Sequence, residues 1–248
     1  MKISLEGKSK VKGLFGLVES GTIKNIGIGE NNSINSDRGT SSVAGYLYNN
    51  AKGLNCYNKC DLKVGRWSGG VFGQCNISII ENCYNEGDIT YNDSIEVEEN
   101  NTTIGGITGA VYQKSVLKNC YNLGNIKCIE SRYIGGISGY INNNTTIINC
   151  YNKGEVSGNE GIGGIIGRTE WDKTKIINCY NMGNINGNYK YAGIVGDNDN
   201  INGIVKNTYS LIGTCDNICG ENRGTIEQSY IKTSEEMKKI TEELGEAF

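Results

Sequence analysis

The chain has 248 residues, a net charge of −3 and 37% apolar residues, enough for one repeat array or one or two ordinary domains around a narrow core. This balance excludes the basic field that holds nucleic acid or an anionic membrane. Histidine is absent, which excludes His-based triads, His metal sites and imidazole acid–base chemistry.

The start, Met1-Lys2-Ile3-Ser4-Leu5, runs directly into Glu6-Gly7-Lys8 and shows no signal-peptide core. No stretch approaches the roughly 18 apolar residues of a membrane span, so membrane insertion is not expected. From Gly13 onward a phrase Gly-Gly-(Ile/Val)-x-Gly recurs. Clear copies are Gly69 to Gly73, Gly105 to Gly109, Gly135 to Gly139 and Gly163 to Gly167. Looser ones end at Gly16, Gly45, Gly196 and Gly220, and the closing glycines are spaced 29, 28, 36, 30, 28, 29 and 24 apart. A second phrase, Asn-Cys-Tyr-Asn, follows in step at Asn55, Asn82, Asn119, Asn149 and Asn178. Proline is absent and glycine contributes 36 residues, which suits tight turns between ladders that use every backbone donor.

An apolar residue precedes each Cys column by three positions: Ile23, Ile80, Leu117, Ile147, Ile176, Val205 and Ile226, with Gly53 as the exception. Another apolar column lies six positions after it: Leu62, Ile89, Ile126, Val156 and Ile185. Such short runs suit strands and are too short for helices. One coil cannot bury its own apolar side, whereas stacked coils can. The expectation is an all-β fold over residues 1–232, a parallel β-helix or β-solenoid of about eight coils of ~29 residues. Rungs about 4.8 Å apart would give a rod on the order of 35–40 Å long. The Ile-to-Cys spacing breaks strict alternation and predicts a bend or bulge there. Residues 233–248 differ: Thr233-Ser234-Glu235-Glu236 is a capping box, and Met237, Ile240, Leu244 and Phe248 recur near helical spacing. This short amphipathic helix is either a cap or the first element of a following domain.

These phrases, Gly-Gly-Ile-x-Gly and Ile-x-Asn-Cys-Tyr-Asn-x-Gly-x-Ile/Val, resemble the GLUG repeat of bacterial surface proteins. The resemblance covers Gly13 to about Tyr230, and Ser234-Glu235-Glu236-Met237 is similar to the short helix that follows such arrays. It implies a noncatalytic repeat region of a larger secreted or wall-attached polypeptide, adhesin-like or part of an immunoglobulin-A peptidase. An extracellular or cell-surface location follows from that resemblance, with this chain a fragment of the whole. The implied role is a monomeric spacer, display rod or adhesion module whose partner is a host protein or a glycan.

Ten cysteines are present. Cys56, Cys83, Cys120, Cys150 and Cys179 share one column in which Ile26, Thr208 and Ser229 also stand. Stacked Cβ atoms near 4.8 Å do not suit disulfides, so this column reads as small packing residues. Cys56-x3-Cys60 and Cys215-x3-Cys219 fall in the loose zinc range, but Cys219 aligns with Phe72, Ile166 and Val195. No metal, cofactor or catalytic residue is expected. The Asn column from Asn25 to Asn207 predicts an amide ladder.

The candidate binding residues are Tyr84, Tyr121, Tyr151 and Tyr180, within an aromatic column that either stacks on sugar rings or a partner protein or stabilises the solenoid. To these are added Arg66 and Trp67, Arg168 and Trp171 at irregular joints, and Glu96 and Glu98 in an acidic insertion. Asp197 to Gly203 mimics a calcium loop but has Ile201 at the fifth position, and reads as turn residues. The rival class is a β-helix polysaccharide lyase or hydrolase, or a carbohydrate-binding module. The acids lie mainly in predicted turns, and Glu170 and Asp172 beside Arg168 come closest to a catalytic set.

Overall fold

The computed structural model describes residues 4–5, 12–36, 38–92 and 102–243. The fold is a succession of short strands wound into a parallel β-solenoid. One coil shows the pattern: Ser68–Gly69, Phe72–Asn76, Ile79–Glu81, Tyr84–Asn85 and Ile89–Tyr91 each belong to a different sheet, numbered one to five in that order. Sheets two, three and four have eight strands, sheet five seven and sheet one five. The expected eight coils are therefore about six complete turns, with partial ones at the ends. All pairings are parallel and in register, so Tyr57, Tyr84, Tyr121, Tyr151 and Tyr180 stand directly above one another.

The bend between sheets three and four is a single residue. Asn55, Asn82, Asn119, Asn149 and Asn178 all adopt φ between 52° and 55°. Asn tolerates this left-handed region better than other side-chain-bearing residues. One left-handed residue turns the corner, and both the Ile before it and the Cys after it point inward. The same asparagines form the expected ladder, each Nδ2 donating to the Oδ1 of the preceding coil at 3.0–3.3 Å from Asn55 to Asn207.

A second amide ladder lies inside the molecule. Asn58, Asn85, Asn122, Asn152 and Asn181 are fully buried. Each Nδ2 donates forward to the next Oδ1 at 2.7–2.8 Å, opposite in direction to the outer ladder. The same nitrogen also donates to the carbonyl two residues on, as from Asn122 to Gly124 at 2.7 Å. The ladder separates two apolar clusters. One holds the Cys column with Leu47, Phe72, Ile80, Leu117 and Ile147; the other holds Leu62, Ile89, Ile104, Ile126 and Ile134.

The cysteines are free, and those of the column are fully buried. Each column thiol donates to the carbonyl two residues back at 3.2–3.3 Å, and Ser229 makes the same bond to Glu227 at 2.9 Å. Cys56 and Cys60 lie in different apolar clusters, as do Cys215 and Cys219. Cys60 closes the inner ladder: Ile28 occupies the position above Asn58, and the Cys60 thiol donates to the otherwise terminal Asn58 Oδ1 at 3.1 Å.

At the chain's end, α1 (Ser234–Glu243) starts with the expected box: the Glu236 N–H donates to Thr233 Oγ1 at 3.3 Å, and the Thr233 N–H to Glu236 Oε2 at 2.8 Å. The helix rests on the Tyr209–Leu211 strand and buries Met237. Leu244 and Phe248 lie outside the described residues.

Gly53, the exception in its apolar column, is explained by Phe72 on the next rung. A Cβ on Gly53 would sit 2.3 Å from the Phe72 ring, which fills the volume that Ile23 and Ile80 fill in their own coils. Phe72→Ala is predicted to cost about 3–5 kcal/mol in chemical denaturation. Gly53→Ile alone overpacks the site and also destabilises. Combined with Phe72→Thr, the residue type of the next coil, Gly53→Ile recovers part of the loss. Additive losses in the double variant would contradict this account.

Candidate functional site

The columns that repeat are committed to the stack. Ring centroids along Tyr57, Tyr84, Tyr121, Tyr151 and Tyr180 are 4.9–5.1 Å apart with planes within 8°. Both faces of Tyr84, Tyr121 and Tyr151 are thus covered by neighbouring rings. Tyr57 lies over Gly27, where a Cβ would fall 2.1 Å from its ring, and Tyr180 is buried. The column presents ring edges to the outside, not the faces on which a sugar stacks.

The columns that vary lie on the outer face of sheet two. Its strands alternate after each closing glycine: the middle residue points inward (Leu47, Val111, Ile141), while its two neighbours point outward. Over the early coils the outward residues are Tyr46, Tyr48, Gln74, Asn76, Tyr112, Tyr140 and Asn142. Tyr46 lies 5.8 Å from Tyr48, and Tyr112 lies 5.8 Å from Tyr140, as tilted ring pairs. Over the later coils the same columns become Arg168, Glu170, Asp197, Asp199 and Glu221.

Arg168 organises this second half. Its Nη2 lies 2.5 Å from Glu170 Oε1 and 3.2 Å from Asp199 Oδ2, and its Nη1 donates to the Tyr133 hydroxyl at 2.5 Å. Tyr140 donates its hydroxyl to Glu170 Oε2 at 2.6 Å. Lys190 Nζ lies 2.8 Å from Glu221 and 3.2 Å from Asp197. The Asp197 side chain is 3% exposed; burial pushes its carboxyl above the usual range, while Arg168 and Lys190 oppose that shift.

Next to this network the turn after sheet two forms an open pocket of about 440 Å³, lined by Asn143, Glu170, Trp171, Asp172, Asp199, Ile201 and Asn202. Trp171 is 66% exposed and Ile201 75%. Trp171 sits in the turn at φ 65°. Glu170 and Asp199 stand opposite each other on adjacent rungs.

The candidate residues therefore separate. Arg168 and Trp171 meet in one place, with Glu170. Arg66 and Trp67 lie three rungs earlier and before the sheet-two strand, where the Arg38 guanidinium stacks 4.4 Å from the half-buried Trp67 ring. Glu96 and Glu98 lie outside the described residues. Two expectations are corrected. Asp197 to Asp199 belong to the strand Val195–Asp199, not to a turn, because the strand's alternation continues through them. The expectation that no cluster of acids outside the turns, the insertion and the terminal helix stands out is also corrected, since Glu170, Asp197, Asp199 and Glu221 stand on strands of one face. Sequence reasoning missed Tyr46, Tyr48, Tyr112 and Tyr140. The signal was their place one and three residues after a closing glycine, in columns whose residue type changes from coil to coil.

In comparisons with known proteins, the chain matches no protein-family model and no curated protein. The class that the geometry defines is a parallel β-solenoid repeat protein.

Burial raises the tyrosines of the stack, with Tyr151 pushed up to about 12 and Tyr84, Tyr121 and Tyr180 also raised. It raises the column thiols Cys83, Cys120 and Cys150 in the same way. In the unfolded chain these groups ionise near 9–10. The folded state then holds more protons at high pH, so the stability that these groups contribute is complete below about pH 8 and falls as pH rises through 10 toward 12. Denaturation midpoints should be level from about pH 6 to 8 and drop steeply above 9, with phenolate absorbance appearing together with unfolding. Phenolate titration near pH 10 with the fold intact would contradict this.

Proposed function

We propose that the chain is a noncatalytic repeat module of a bacterial cell-surface or secreted protein, a stiff spacer or display rod able to adhere through its side. The observation that carries this reading is the use of the repeats by one another. Both asparagine columns and the tyrosine column each bond or stack to the same residue in the next coil, and the cysteine column packs on itself in the core. A ladder of this kind resists bending, because every rung is held at the inter-strand spacing of about 4.8 Å along several columns at once. The GLUG-like phrases supply the bacterial and surface elements of the proposal.

The rival reading is a carbohydrate-active enzyme that would draw on Glu170 and Asp199. Those carboxylates share Arg168, and Asp199 also pairs with Arg223 at 2.9 Å. Carboxylates so paired support a structural role over a proton-transfer role.

Two measurements test the proposal. Antibody raised against the chain should label intact cells of a bacterium that encodes it, without permeabilisation. Purified chain incubated with soluble polysaccharides should release no new reducing ends. Labelling only after permeabilisation would overturn the surface assignment, and reducing ends lost in Glu170→Gln would establish the enzyme.

A further inference from the structure

The two ends of the rod are matching edges. Sheets two, three and four begin on Phe15–Glu19, Thr22–Lys24 and Gly27–Ile28, and finish on Cys219–Asn222, Thr225–Glu227 and Tyr230–Lys232. Each of these six strands is paired on one side only. The apolar columns are open at the same places. Phe15 is 40% exposed, whereas Ala44 and Phe72 of its column are fully buried. Ile226 is 40% exposed, whereas Ile176 and Val205 of its column are buried. The helix α1 does not cover these strands. In chain order it replaces the sheet-five strand of the last coil and rests on Tyr209–Leu211, while Ile226 and Tyr230 stay exposed. An unpaired strand edge is a template for another strand, and no proline blocks either end.

We propose that the C-terminal end of one copy takes the N-terminal end of a second copy, so that chains join head to tail into a longer rod. The proposal goes beyond the display-rod reading and does not rest on it. Charge selects this occupant. Continuing each column by one rung sets Lys24 of the added copy on Glu227, and its Glu19 on Arg223. The same columns already make such pairs across a rung. Lys118 meets Glu81 at 2.9 Å, Lys206 meets Glu227 at 3.0 Å, and Arg223 meets Asp199 at 2.9 Å. The step also sets Phe15 on Cys219 and Ile23 on Ile226, apolar on apolar. The joining strands run parallel, as every pair within the rod does. Two like ends would meet antiparallel and lose these column matches. The head-to-tail contact is heterologous, so it leaves an open end for the next copy and does not close at a dimer.

Sedimentation velocity of the whole chain, from micromolar to submillimolar concentration and at low and high salt, tests the proposal. The average mass should rise with concentration past that of a dimer, and fall as salt screens the end charges. Lys24→Glu and Glu227→Lys each set like charges against each other at the joint, and each should weaken association about tenfold or more. Mixing the two single variants, or placing both changes in one chain, should restore it. Both positions lie at the surface, so circular dichroism and denaturation midpoints of the variants should match those of the parent chain. A chain that stays monomeric throughout, a mass that stops at a dimer, single variants that associate like the parent, or no restoration on mixing would overturn the proposal. Surface labelling and reducing-end release are read independently of all four outcomes.

Discussion

The fold turns on one buried hydrogen-bonded column, the amide ladder from Asn58 to Asn181. An amide without partners in an apolar interior is costly. Here each nitrogen serves two acceptors and each oxygen accepts from the coil before it, as at Asn122. That arrangement requires identical residues at identical heights and therefore fixes the register of the five coils it joins. It also sets the glycines. A Cβ on Gly106 would lie 2.5 Å from Asn122 Cγ, and one on Gly124 would lie 2.0 Å from the Gly87 carbonyl oxygen. The second glycine of Gly-Gly and the glycine after Tyr-Asn-x are thus the two walls of the ladder's slot.

With the register fixed, the remaining columns divide by whether they repeat. Those that repeat face a copy of themselves: outer amides and phenols are satisfied along the axis, and the thiols by a carbonyl two residues back in their own coil. Those that vary form no such ladders; some, such as the Phe72 and Thr108 column, pack in the core, and others face outward. The outer face of sheet two is where variation collects, tyrosines and amides at one end and ion pairs around Arg168 at the other. These ion pairs range from the nearly buried Asp197 to the exposed Arg223, and the exposed ones add little to stability individually. Their role lies in holding Tyr133, Tyr140 and the pocket wall in place. A rod of this design separates its ladder residues from its varying residues by column, not by domain.

Much of this was legible in the sequence, and the limits have physical causes. The solenoid, the short strands, the outer amide ladder, the packed thiols and the capping box follow from columns that recur, which one sequence with internal repeats displays directly. The inner amide ladder was hidden because Asn58, Asn85 and their equivalents read as turn residues beside a glycine, the ordinary place for asparagine. Nothing in a polar residue's identity marks it as buried. The coil count was too high because glycine columns continue into end coils that lack strands in sheets one and five. Phe72 was legible as a variable residue, but its link to Gly53 needed the rung-to-rung contact. The varying outer columns of sheet two were hidden because their residue type changes from coil to coil, whereas the regular tyrosine column is occupied by its own stack.

The inner ladder is tested most directly by comparing the unfolding free energies of Asn122→Ala and Asn119→Gly. The first removes the donor to the Gly124 carbonyl and to Asn152 Oδ1 and the acceptor of Asn85. Each buried group left without a partner costs about 1–3 kcal/mol, so a loss of several kcal/mol is expected. The second removes an equally regular amide at the outer corner, where Gly accepts the left-handed conformation, and should cost about 1 kcal/mol or less. Equal losses in the two variants, or a larger loss at Asn119, would contradict the account.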